Sequence, residues 1–157
     1  MGVCLVFDLD DTIYMHRSTI VPYDKIRPDY QLKHQLERIP HPKFILTNAT
    51  FDHANIIINR LDINDQFEKI YSRDNIYEMK PNAFCYRSVT RNISKTIRNN
   101  GSNEFIFFDD QLTNLEGAKK QGWKTIWISP HYIQSYKFPF VDKAYPSLKN
   151  ALDKLNF

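Results

Sequence analysis

The stretch "FDLDDTIY", residues 7–14, closes an apolar run with Asp8, Asp10 and Asp11 packed into consecutive turns of the chain. Val3 to Leu9 has the unbroken apolar character of a strand buried on both faces, as in a parallel sheet. Like charges at the end of such a strand repel one another. A bound cation is the simplest offset, so the question becomes which other side chains meet there.

Outward from this stretch, strand-length apolar runs alternate with helical stripes. "KFILT" (43–47) reads as a second strand, and Ala49 to Leu61 as a helix with Ala54, Ile57, Ile58 and Leu61 on its apolar face. "KIYS" (69–72) is a weak third strand, and Pro81 opens a helix that runs to about Ile97 before "NNGSN" breaks it. "EFIFFDD" (104–110) is a fourth strand that again ends in acids. Leu112 to Gln121 is helical and stops at Gly122, "KTIWIS" (124–129) is a fifth strand, and Leu148 to Leu155 a last helix. Between the first two strands, Pro28 opens a helix striped by Tyr30, Leu32, Leu36 and Ile39, ended by Pro40 and Pro42. The alternation predicts an α/β fold: a three-layer, Rossmann-like parallel sheet of about five strands with helices on both faces. The chain shows no repeat, linker or low-complexity tract. The expectation is one domain over residues 1–157, with residues 14–27 as a short loop or flap.

Composition narrows the function classes. The chain is 42% hydrophobic and 25% charged, as in a soluble globular protein, and its 14% aromatic content argues against disorder. A net charge of +3 with scattered Lys and Arg permits anionic partners, but shows no dense basic patch for nucleic acid. Cys4 and Cys85 read as reduced packing residues, with no zinc-ligand spacing. "MGVCLVFDL" has no basic leader, and Val6 stands where a myristoylation motif wants Ser or Thr. No apolar stretch is long enough for a membrane span, so the default location is cytoplasmic.

In a parallel sheet, ligands bind outside the carboxyl ends of the strands. Asp8, Asp10 and Asp11 end the first strand, Thr47 and Asn48 the second, Asp109 and Asp110 the fourth. Acids after a single strand also arise from helix capping. Two such clusters on one edge, joined by Thr47 and Lys80, favour an oxygen-rich site for Mg²⁺.

These residues carry a resemblance. Asp8-Leu9-Asp10-Asp11-Thr12 resembles the D-x-D-x-T signature of the haloacid dehalogenase superfamily, and "ILTNA" its second motif. Lys80 in "MKPNAFCY" resembles the third, and "FFDDQLTNLEGAKKQGW" the fourth. "LTNATFDHA", "KPNAFCY" and the fourth stretch look most like the pyrimidine 5′-nucleotidase branch. The resemblance implies a Mg²⁺-dependent phosphomonoesterase working through an aspartyl-phosphate, on nucleoside monophosphates or other small phosphate esters. It implies Asp8 as nucleophile and Asp10 as acid, then base, with its backbone carbonyl also on the metal. Asp110 is the expected second carboxylate ligand. Asp109 either ligates or orients Lys80. Thr47, the Asn48 amide and Lys80 would hold the phosphate, and Thr12 would shape the turn. Asn114 departs from the second acid that many relatives carry. His53 matches a His of that branch, though a surface or helix-capping role is the expectation. His16 lies in the loop after the nucleophile and could touch a leaving group, though a role outside catalysis is the expectation, and His34, His41 and His131 are expected at the surface.

The branch also carries a helical cap between its first and second motifs. Here only Ile13 to Pro42 fills that gap, too little for a domain. An open edge admits a macromolecular phosphate on protein or nucleic acid as the alternative substrate, and a catalytically silent binding module as a further one. A second subunit or the aromatic stretch "PHYIQSYKFPF" (130–140) could instead close over a nucleotide. The expectation for its Tyr132, Tyr136, Phe138 and Phe140 is nevertheless packing onto the core.

Overall fold

The computed structural model describes residues 2–97 and 102–157, so most of the "NNGSN" break lies outside the described residues. Strands β1 (Gly2–Phe7), β2 (Lys43–Leu46), β3 (Lys69–Tyr71), β4 (Asn103–Asp109), β5 (Lys124–Ile128) and β6 (Lys143–Tyr145) form one sheet in the order β3-β2-β1-β4-β5-β6. Every neighbouring pair is parallel. The sheet therefore has six strands rather than about five. β6 escaped the sequence reading because it is a three-residue edge strand, Lys143-Ala144-Tyr145, with no fully buried position to mark it.

Among the described residues, five helices cover the sheet: α1 (Tyr30–Glu37), α2 (Phe51–Arg60), α3 (Ala83–Ile97), α4 (Leu112–Lys120) and α5 (Leu148–Lys154). Alternation along the strands assigns side chains to two faces. Leu5 and Phe7 of β1, Ile45 of β2 and Phe108 of β4 pack against Leu32 and Leu36 of α1, Ile57 and Ile58 of α2, and Leu152 of α5. Cys4 and Val6, Phe44 and Leu46, and Phe105 and Phe107 face the other way, against Tyr86, Val89 and Ile93 of α3 and Leu115 of α4. On the first face the Phe7 and Phe108 rings stack at 4.7 Å, joining the two central strands. Both cysteines are buried and unpaired, as the sequence predicts, and burial pushes each thiol up to about 11.

Helix starts follow local chemistry. Thr50 Oγ1 accepts from His53 N at 3.2 Å to cap α2, and Ser147 Oγ accepts from Asn150 N at 3.1 Å to cap α5. Neither proline opens its helix from the first turn. Asp29 caps α1 by accepting from Leu32 N at 3.0 Å, which leaves Pro28 outside. α3 begins at Ala83, after Asn82 Oδ1 has accepted from Phe84 N, and the Lys80–Pro81 peptide is cis. Gly122 ends α4 with φ of 85°, a conformation that glycine adopts at no steric cost.

Between β1 and α1, residues 8–29 hold only a bridge between Asp10 and Tyr14 and one 3₁₀ turn, Tyr23–Lys25. Ile26 is buried, and Val21 and Tyr23 pack against the same cluster as α1 and α2. The segment is thus pinned to the domain by its own apolar side chains.

Gly117 of α4 faces the loop that carries Lys80. A Cβ there would lie 2.8 Å from the Pro81 carbonyl oxygen and 3.0 Å from the Tyr86 ring. Gly117→Ala is therefore expected to destabilise the protein by about 1–3 kcal/mol through overpacking, read as a lower midpoint in chemical unfolding. Unchanged stability would mean that the Pro81 loop yields freely.

Candidate active site

The carboxyl ends of β1 and β4 bring Asp8, Asp109 and Asp110 together, with Thr47 and Asn48 following β2. Asp8 follows β1 and donates its amide to the Phe108 carbonyl at 2.9 Å, which locks the two central strands together at the site. Lys80 reaches in from the loop before α3. Its Nζ donates to Asp8 Oδ1 at 2.8 Å, to the Leu46 carbonyl at 2.8 Å and to Asp109 Oδ2 at 2.9 Å. An ammonium has three protons, and all are used. Burial alone would lower the Lys80 pKa, but Asp109 and Asp8 more than reverse this, so it stays charged.

Asn48 holds the Lys80 backbone in a reciprocal clamp. Its Nδ2 donates to the Lys80 carbonyl at 3.0 Å, and its Oδ1 accepts from the Lys80 amide at 3.0 Å. The sequence reading had singled out only the Asn48 amide. Thr47 is buried, and its hydroxyl oxygen accepts from Ala49 N at 3.0 Å, leaving its proton free to donate.

Asp109 is fully buried and heavily committed. It accepts from Lys80, from Asn114 Nδ2 at 3.1 Å and from Gln111 N at 2.8 Å. Asn114 thus works on Asp109 from the first turn of α4. Asp110 is less buried, and its backbone carbonyl accepts from Trp127 Nε1 at 2.9 Å. Thr12 Oγ1 lies 3.1 Å from Asp8 Oδ2 and 3.4 Å from Asp110 Oδ1, bridging the two acids.

One carboxylate oxygen from each of Asp8, Asp109 and Asp110 falls within 4.8 Å of the others. Three acids face a single ammonium there, so the cluster carries surplus negative charge. Burial, followed by hydrogen bonding to Asp8 and the charges of Asp109 and Asp8, pushes the Asp110 carboxyl up to about 8. Burial, partly opposed by Lys80, pushes Asp109 up to about 6. Hard oxygen donors with surplus negative charge fit Mg²⁺, and these three residues would hold it.

Asp10 stands apart from this cluster. His16 Nε2 lies 2.5 Å from its Oδ1 and His53 Nε2 lies 2.8 Å from the same oxygen. Tyr23 Oη lies 2.6 Å from His53 Nδ1. His53 is therefore more than a surface or capping residue. Its place on the first turn of the helix that leaves β2 was the available signal. For His16 the signal was its place in the loop just after the Asp8 stretch. This histidine returns to Asp10 because Asp11 adopts a left-handed φ of 60° and accepts from His16 N at 3.0 Å.

The raised carboxyls set a pH dependence. Between the ordinary carboxylate pKa of about 3.9 and the folded value of about 8, Asp110 binds more proton folded than unfolded. Its contribution to stability is complete below the lower value and is lost as pH rises through the upper one. With chelator present, the melting temperature is expected to fall from pH 5 to pH 8, and Asp110→Asn to flatten that slope. Mg²⁺ is expected to raise the melting temperature more at pH 8 than at pH 5, and an equal rise would remove Asp110 as a ligand.

Comparison with known proteins agrees with this geometry at the level of the fold. The L-2-haloacid dehalogenase of Xanthobacter autotrophicus superposes with a TM-score of 0.61 at 17% identity, over 83% of this chain and 62% of that one. The magnesium-bound HAD-hydrolase YfnB of Bacillus subtilis gives 0.66 at 19% identity, over 82% and 54%. This chain thus spans about three fifths or less of those proteins' lengths. An uncharacterized protein of Listeria monocytogenes serotype 4b gives 0.65 at 18% identity and matches end to end, over 96% and 95%. The family described as haloacid dehalogenase-like hydrolase matches residues 15–128, beginning just after the acidic stretch at Asp8. With that match over most of its length, the chain belongs to the haloacid dehalogenase-like hydrolases.

Proposed function

We propose that this protein is a Mg²⁺-dependent phosphomonoesterase acting on small phosphate esters, with nucleoside monophosphates as the first candidates. The observation that carries the reading is the cluster of Asp8, Asp109 and Asp110 carboxylates within 4.8 Å. Displacement of a halide from a haloacid puts one carboxylate against a neutral carbon, and the halide leaves without a proton. Attack on a phosphate monoester sets a carboxylate against a dianion and expels an alkoxide that must be protonated. A cation site and a second acid beside the nucleophile serve the second reaction. The nucleotide preference rests on the likeness of "LTNATFDHA" and "KPNAFCY" to the nucleotidase branch.

In this reading Asp8 Oδ2 is the attacking oxygen, because Oδ1 is held by Lys80. Bound Mg²⁺ would supply positive charge that offsets the repulsion between carboxylate and phosphate. Thr47 donates its free hydroxyl proton to the phosphate, and the Asn48 amide assists. Lys80 acts by fixing Asp8 and by placing its charge beside the developing negative charge. Asp10 protonates the leaving oxygen and then takes a proton from the water that hydrolyses the aspartyl-phosphate. His16 and His53 orient its carboxylate from one side.

The pinned segment 14–27 leaves the strand edge without a cap domain. Phe138 and Phe140 pack on the core, Phe138 edge-on to Trp127 at 5.6 Å, so they are not free to stack a base. Tyr136 is exposed. A phosphorylated peptide or oligonucleotide therefore belongs in the substrate panel as the alternative.

Phosphate release should be measured on nucleoside monophosphates, sugar phosphates, a phosphopeptide and a phosphorylated oligonucleotide, with a 2-haloacid alongside. Mg²⁺-dependent turnover is expected, lost by roughly four orders of magnitude or more in Asp8→Asn. Asp10→Asn is expected to cost about 10²–10⁴-fold on alkyl phosphates and much less on an aryl ester with a good leaving group. Halide release without phosphate release would overturn the reading in favour of dehalogenation, and silence with every substrate would favour a binding module.

A further inference from the structure

We propose that Asp10, His16 and His53 form a zinc site, separate in its donor chemistry from the carboxylate cluster. Asp10 Oδ1, His16 Nε2 and His53 Nε2 all lie within 4.8 Å of one another. The two imidazole rings are nearly parallel, at 13° and 6.4 Å between centroids, with both Nε2 atoms turned to the same carboxylate. Two imidazoles and a carboxylate are a donor set for zinc rather than for magnesium.

The ligands are supported from behind. Tyr23 Oη sits 2.6 Å from His53 Nδ1, where it can accept that proton and leave Nε2 free for a metal. His53 is fixed in the first turn of α2 by the Thr50 cap. His16 is tied through its amide to Asp11, and its ring meets the Tyr14 ring edge-on at 5.0 Å. The side chains of His53, His16 and Asp10 are 16%, 24% and 31% exposed, so an ion can reach them from solvent. Zinc bonds of about 2.0–2.2 Å require the ligand atoms to separate to roughly 3.3 Å. From contacts of 2.5 and 2.8 Å that is a sub-ångström opening, and His16 lies in a loop that can supply it.

The site has a consequence that rests on the phosphatase reading. Asp10 cannot carry a proton to or from the leaving group while its carboxylate is bound to zinc. Zinc would then inhibit hydrolysis without displacing magnesium from the carboxylate cluster.

The test is zinc titration by calorimetry on the full chain in excess Mg²⁺, which fills the carboxylate cluster, followed by X-ray absorption of the bound zinc. One zinc with imidazole scattering is expected in the wild type. His16→Ala and His53→Ala are each expected to weaken it by at least ~10-fold, while Asp109→Asn retains it. Absence of binding in the wild type overturns the site. So does zinc that survives both histidine replacements and is lost in Asp109→Asn. Should His53→Ala fail to fold, His16→Ala carries the same test from outside helix and strand. Zinc bound through imidazole that leaves hydrolysis unchanged supports the site and overturns the role of Asp10 in catalysis, so the two readings fail separately.

Discussion

The site depends on one buried ammonium. Lys80 Nζ is held by Asp8 after β1, by the Leu46 carbonyl at the end of β2 and by Asp109 at the end of β4. Each contact draws in a different strand, so a single side chain fixes the spacing of the sheet's central edge. Removing one partner from such a pair leaves an uncompensated buried charge, which costs about 3–5 kcal/mol. The rest of the loop is arranged to keep Lys80 in place. Asn48 clamps its backbone on both sides, and α4 approaches Pro81 so closely that a Cβ at position 117 would lie 2.8 Å from the Pro81 carbonyl oxygen.

That arrangement divides labour among the acids. Asp109 is saturated by Lys80, Asn114 and Gln111, and its chief contribution is to hold the ammonium. The Asp110 carboxyl rises further than that of Asp109, first through burial and then through hydrogen bonding to Asp8 and the charges of Asp109 and Asp8. Thr12 ties Asp8 to Asp110 across the gap. The opening cluster of acids is therefore two different devices. Asp8 joins the Lys80 network, while Asp10 turns away to the histidines and Asp11 uses its left-handed turn to bring His16 back.

The α/β class, the parallel order and the two-faced core were legible because buried strands and amphipathic helices each have their own period. Leu5 and Phe7 against Cys4 and Val6 show the strand period in its simplest form. The convergence of Asp8, Asp109 and Asp110 was legible for a topological reason, since strands in a parallel sheet all end on one edge, whereas Lys80 was legible only through its likeness to the family's third motif. β6 was not legible, because three half-exposed residues gain their strand conformation from pairing with β5. The helix starts at Tyr30 and Ala83 were read too early because proline suits a first turn but does not compel one.

Sequence by itself determined the elements other than β6, their alternation and the chemistry available at the strand ends, since these follow from local period and residue type. Only the tertiary structure decided how that chemistry is distributed. It set Lys80 between Asp8 and Asp109, made the Asn48 side chain a clamp, and brought His53 of α2 to Asp10 and to Tyr23 of the 14–27 segment. Such contacts are long-range. Their geometry comes from packing between elements, and no period along the chain encodes it.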